Sequence, residues 1–189
     1  MFNNIKKAAF TLAEVMITLG IIGVVAAMTI PNLMNEYREQ VWATTLKKNY
    51  STMVTMCERM LAEENVSNAN ETKLYAALVA QNSTNIQTAL SQYLKLKNPA
   101  AWYSGFGYTS HSSYRYTAPD GAFVYITYYN SSYPFYISID VNANEMPNST
   151  GQDRFAYMLD RKCNYQHAIS NTFTENFRNV MNNNWRIPD

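Results

Sequence analysis

The chain has 189 residues, a net charge of +1 and no basic run outside its first nine residues, so charge implies neither a nucleic-acid partner nor an acidic substrate. That length holds one modest domain beyond an apolar N-terminal segment and leaves no room for a second catalytic domain. Tyrosine is abundant at 15, and Asn, Ser and Thr crowd the second half, a mixture that suits short strands and polar loops.

In chain order, a short segment ending Lys6-Lys7-Ala8-Ala9 precedes an apolar run from Phe10 to Ile30 whose polar members are Thr11, Glu14, Thr18 and Thr29. As a helix rising about 1.5 Å per residue, this run reaches about 30 Å and spans a bilayer core. The two lysines on its short side keep that end cytoplasmic. A carboxylate near the head of such a span is costly without a cation, which makes Glu14 a functional candidate. A chain beginning at Phe10 would carry a free amine only a few residues from it. The plain alternative is a secretory signal or signal anchor: Val25-Ala26-Ala27 offers small residues before a cut at Met28. An apolar core of about 7–15 residues is usual for such signals, and this run is longer and holds a Glu.

Lys6-Lys7-Ala8-Ala9 followed by Phe10-Thr11-Leu12-Ala13-Glu14 and a long apolar helix resembles the precursor signature of the type IV pilin and type II secretion pseudopilin family. The resemblance implies cleavage by a prepilin peptidase between Ala9 and Phe10, methylation of the Phe10 amine, and pairing of Glu14 with the N-terminus of an adjacent subunit. Ala9 stands where the family usually has Gly. Pro31 lies near where pilins carry a kink proline. The implied fold is α+β and pilin-like, a long N-terminal helix packed on a small antiparallel sheet. The implied partners are copies of the chain or other pilin-like subunits, the peptidase, inner-membrane assembly machinery and membrane lipid. The implied location is the inner membrane, single-pass with a short cytoplasmic N-terminus and an exported C-terminal domain, then a pilus or pseudopilus.

After Pro31 the apolar pattern becomes one-sided. Leu33, Met34, Tyr37, Val41, Leu46, Met53, Val54, Cys57, Met60 and Leu61 recur at helical spacings among charged residues, which predicts that the helix continues to about Glu64 with one face covered by the rest of the chain. Pro31 removes one backbone hydrogen bond and is expected to bend this rod without ending it. Asn65 to Asn70 is a polar linker. Leu74 and Leu78, then Ile86, Leu90, Tyr93 and Leu94, predict two short helices at 71–80 and 83–96, the second capped by Ser83 or Thr84.

From Tyr114 the period drops to two. Tyr114 to Thr117, a turn at Pro119-Asp120-Gly121 and Ala122 to Tyr129 read as a hairpin, with further strands at Tyr133 to Val141 and Arg154 to Leu159. The domain organisation expected is therefore a leader at 1–9, an assembly helix at 10–30, its amphipathic continuation at 31–64 and a globular domain at 65–189, with its sheet at about 114–160. Phe173 to Asp189, with Phe177, Val180, Met181 and Trp185, reads as a short packed tail.

Cys57 and Cys163 are the only cysteines, open to either a disulfide in an exported domain or two free thiols. Asp140, Asn142 and Asn144 have the alternate spacing that opens a calcium loop, and Asp153 could close it. Some pseudopilins bind calcium in such loops; the competing reading is a set of Asx-turns between strands. No cofactor is otherwise implied. His111 and His167 lack ligand-spaced neighbours, and no phosphate loop or nucleophile elbow appears, so no enzyme is expected. The function expected is a structural filament or pseudopilus subunit. The alternative is a membrane-anchored or secreted ligand-binding domain whose binding face is the Tyr-rich stretch from Trp102 to Tyr136.

Overall fold

The computed structural model describes residues 11–96, 101–103, 113–143, 145–166 and 171–187. The leader, Ala9, Phe10, His111, Asn144 and His167 lie outside them. The chain divides after Arg38 into two structural units, and one helix, α1 (Leu12–Glu63), contributes to both.

In the first unit α1 is uninterrupted through Pro31. Two of its threonines are satisfied within the helix: Thr18 donates to the Val15 carbonyl at 2.9 Å and Thr29 to that of Val25 at 3.0 Å. Large apolar side chains from Leu12 to Ile30 are exposed. So are Leu33, Met34, Tyr37 and Val41, which corrects the expectation that the chain covers the stripe from Leu33 onward. Coverage starts at Ala43, where the second unit supplies apolar side chains to meet it.

In the second unit the buried face of α1 is Ala43, Leu46, Asn49, Met53, Met56, Cys57 and Met60, a three- and four-residue spacing that puts all seven on one side. A 3₁₀ turn (Ala69–Glu71) leads to α2 (Lys73–Val79), and α3 (Ser83–Tyr93) follows. Thr72 caps α2, and the cap of α3 is Asn82, not Ser83 or Thr84: its side chain accepts from the Asn85 amide at 3.0 Å.

Six strands then form an antiparallel meander in sequence order: β1 (Ala101–Tyr103), β2 (Ser113–Thr117), β3 (Phe123–Tyr128), β4 (Phe135–Asp140), β5 (Arg154–Leu159) and β6 (Tyr165–Gln166). In register, Tyr116 opposes Val124, Val124 opposes Ile139 and Ile139 opposes Phe155; one row further on, Tyr114, Ile126, Ile137 and Tyr157 align. This face packs with the buried face of α1. The Tyr116 hydroxyl donates to the Met53 sulfur at 3.0 Å.

The opposite face is not open to solvent. Tyr136, Ala156 and Met158 form a second buried cluster with Phe173, and Tyr125 and Ser138 are buried too. Tyr114, Tyr116, Tyr125 and Tyr136 are therefore core residues, which removes them from the ligand-binding face considered above.

The tail is a helix, α4 (Thr172–Asn182), with a reciprocal cap between Asn171 and Thr174. Phe177 stands 4.7 Å from the Tyr157 ring and 5.5 Å from that of Tyr50 on α1, so the C-terminal helix closes the core.

A disulfide joins Cys57 to Cys163, with Cα atoms 5.7 Å apart, so α1 is tied to the turn between β5 and β6. The same turn is held by the Ala69 amide donating to the Arg161 carbonyl at 2.8 Å and by Lys162 Nζ donating to the Ser67 carbonyl at 2.7 Å. On the other side of the core, buried Asn49 donates to Asp120 Oδ2 at 3.1 Å, which pins the Pro119-Asp120-Gly121 turn to α1. These ties hold α1 and the sheet together in an α+β fold of pilin-like arrangement.

Candidate processing and assembly segment

The head of α1 is organised by two side chains. Glu14 Oε2 accepts from the Thr11 amide at 2.9 Å and from the Thr11 hydroxyl at 2.8 Å, while Thr11 Oγ1 accepts from the Glu14 amide at 3.2 Å. This is a capping box: the helix begins with free N–H groups, and a Thr at the cap with a Glu three residues on satisfies two of them reciprocally. Thr11-x-x-Glu14 directly before an apolar run is the sequence signature of that device, a role for Thr11 separate from its place in the family signature.

The cap fixes where the carboxylate points. It is held at the N-terminal end of α1, on the amide of the peptide bond that follows Phe10. A cut between Ala9 and Phe10 would thus create an amine one residue from the atom that Glu14 already holds. The end of the helix also carries partial positive charge from its aligned peptide dipoles, which favours an anion there.

Glu14 is the only charged side chain from Thr11 to Asn35. The first-unit residues on either side of it are exposed and apolar, with Leu12, Met16, Ile17, Leu19, Ile21 and Ile22 among them. An apolar surface of this length is stable only in lipid or against other apolar surface. Farther along, Arg38 donates to Asn35, and Glu36 and Glu39 begin the charged part of the helix.

The loop from Asp140 to Asp153 is built as a turn. Asp140, at the end of β4, pairs with Arg154 Nε at 3.0 Å across the β4–β5 register. Its burial pushes its pKa up to about 6, a rise that the hydrogen bond and charge of Arg154 oppose. Asp153 Oδ2 accepts from the Asn148 amide at 2.6 Å and Oδ1 from the Ser149 amide at 2.7 Å. Asn142 donates to the Met146 carbonyl at 3.2 Å. Asp140 Oδ1 and Asn142 Oδ1 are buried without hydrogen-bond partners, but the guanidinium already supplies positive charge beside them. Both oxygens of Asp153 are taken by backbone. A calcium site takes six to eight converging oxygens, whereas Asp140 and Asp153 are engaged by Arg154 and by backbone amides. Among the described residues no group of three or more His, Cys, Asp or Glu side chains could hold a metal ion.

Residues 4–30 match the family model described as the prokaryotic N-terminal methylation motif. No curated protein and no solved structure matches the chain. The matched stretch contains Glu14, its cap and the apolar helix up to Ile30, so the motif and the geometry fall on the same segment. Such a motif on an apolar helix fits membrane anchoring. At its N-terminus, ahead of a pilin-like α+β fold, the chain carries the prepilin signature of the type IV pilins and pseudopilins.

Proposed function

We propose that the chain is a structural subunit, held in the inner membrane by the apolar part of α1 and then built into a type IV pilus-like filament or a type II secretion pseudopilus. Prepilin peptidase cuts between Ala9 and Phe10 and the Phe10 amine is methylated. Assembly machinery in the inner membrane then transfers the helix from lipid to a bundle of like helices. The observation that carries this reading is Glu14, a lone carboxylate fixed by Thr11 at the head of an uncovered apolar helix. In lipid such a charge is costly, and the amine of a neighbouring subunit offsets it, so Glu14 sets the axial register of incoming subunits. Pro31 relaxes the rod where the apolar span ends. The activity is assembly, with no catalytic chemistry. Burial of Tyr114, Tyr116, Tyr125 and Tyr136 takes those four tyrosines out of the face that a ligand-binding role would use.

The test is Glu14→Gln in the full-length chain. The amide keeps the shape and can still accept from Thr11, but it cannot neutralise an amine. Membrane insertion is expected to persist while cross-linked multimers disappear. Multimers at wild-type yield would remove Glu14 from the mechanism.

A further inference from the structure

We propose that the globular unit carries its own contact between copies of this chain, in which Met146 of one copy seats in the cleft between α2 and α3 of the next. The inference rests on the filament reading and adds to it a surface distinct from the apolar helix. Beyond α1, the exposed large apolar side chains among the described residues are Val79, at 50 % exposure, and Met146, at 75 %. Met146 is one half of a complementary pair, and the other half is a cleft.

Between α2 and α3 lies a cleft of about 540 Å³ lined by Ala76, Ala77, Ala80 and Ala89 among the polar side chains of Lys73, Asn85, Thr88 and Gln92. Its alanines leave room for a long side chain, and methionine, unbranched and polarisable, fills irregular apolar gaps readily. Met146 is presented by an anchored loop. The Asp153 carboxylate holds the next two residues but one, Asn148 and Ser149, the Asn142 side chain holds the Met146 carbonyl, and Arg154 bonds both Asp140 and Asn148. Little ordering is left to be done on contact, so little affinity is lost to it. The charges match as well: Glu145 precedes the knob and Lys73 lines the cleft, and both are exposed.

The two halves sit at opposite ends of the sheet. The loop leaves β4 at Asp140, which opposes Phe123, whereas Tyr75 on α2 stacks 5.4 Å from Tyr128 at the far end of β3. A knob at one end and a cleft at the other suit a head-to-tail contact, which propagates along a helical polymer instead of closing a symmetric dimer.

The experiment uses the full-length chain in its membrane, with Met146→Cys and Ala80→Cys introduced separately and together, and a short bis-maleimide added. The native Cys57 and Cys163 are joined in a disulfide and offer no thiol to the maleimide, and the resistance of the globular unit to a protease in the same sample reports that each variant is folded. The doubly substituted chain is expected to give a ladder of covalent multimers, and each single variant only background. Glu145→Lys is expected to weaken assembly, and Lys73→Glu in the same chain to restore it. Filaments that form with no ladder, or single variants that give cross-linked dimers in the yield at which the double variant cross-links, would overturn this contact and leave the filament reading standing. A wild-type chain that stays monomeric, with no cross-links along α1 either, would overturn both.

Discussion

Both parts of α1 carry large apolar side chains, yet Leu19, Ile22, Val25 and Met28 lie exposed while Leu46, Met53, Met56 and Met60 are fully buried or nearly so. The two parts differ in what surrounds the apolar positions. From Leu12 to Ile30 apolar residues fall on every side of the helix, which suits a solvent that is apolar all round. From Ala43 to Met60 they fall on one side, with Lys47, Lys48, Glu58 and Arg59 on the other, which suits a helix with a core beneath and water above. On the proposed reading, apolar residues in the first part act between molecules, whereas those in the second pack within one. Mutations in the two parts should therefore separate assembly from stability.

The largest effect on stability is expected from Cys57→Ser. The disulfide closes a loop with a sequence separation of 106, and a cross-link over about 100 residues is worth about 4.7 kcal/mol when its effect is taken as loop-closure entropy in the unfolded chain. Urea unfolding of the detergent-solubilised chain, followed by tyrosine and tryptophan fluorescence, measures the loss, and an unchanged midpoint would show that hydrogen bonding to the β5–β6 turn suffices.

A comparison of Met53→Ala with Leu19→Ala sharpens the contrast most directly. Met53 is fully buried and takes the Tyr116 hydroxyl, so its truncation leaves a cavity and strands a donor, at about 2–5 kcal/mol. Leu19 touches no core, so its truncation should leave unfolding of the second unit within about 0.5 kcal/mol of wild type while lowering the yield of multimers. The same two measurements on both variants would break the comparison if Leu19→Ala destabilised the fold or Met53→Ala acted on assembly alone.

A smaller effect is expected at Asp140. Its folded pKa near 6 lies above the ordinary value of 3.8, so the folded state favours the protonated carboxyl. The stability this confers is fully present below the ordinary value and is lost as pH rises through about 6. Asp140→Asn cannot titrate, so the difference in urea midpoint between wild type and variant should change across roughly pH 4 to 7, with wild type losing ground as pH rises. A difference constant over that interval would mean that Arg154 holds the carboxylate ionised throughout. In thermal unfolding of the same chain millimolar calcium should leave the wild-type melting temperature unchanged, because the carboxylates are already paired; a rise that Asp140→Ala abolishes would establish the calcium loop instead.

The N-terminal segment and the central strands were legible because their signals are long or periodic. The apolar run admits few readings, and β2 to β5 alternate strongly enough to be found within two residues of their observed ends. β1 and β6, with three residues and two, are too short to show a period. The spacing of Phe173, Phe177, Val180 and Met181 is that of a helix, but its many Asn residues have low helix propensity, and the capping pair Asn171 and Thr174 was the signal that could have revealed α4. Burial of the second sheet face was not readable either. Ser138 and Asp140 look like solvent-facing positions, and only the tertiary packing and the Arg154 pair bring them inside. In the functional segment Glu14 announced itself through the cost of its charge, whereas Thr11, a residue common at exposed helix starts, did not.

The central claim is that the chain is a processed pilin-like subunit, and intact-mass measurement with N-terminal sequencing of the exported protein tests it most directly. The account predicts a mature chain that begins at Phe10 and carries one methyl group on its amine. A chain that begins at Met28, or one that keeps its leader intact, would contradict it.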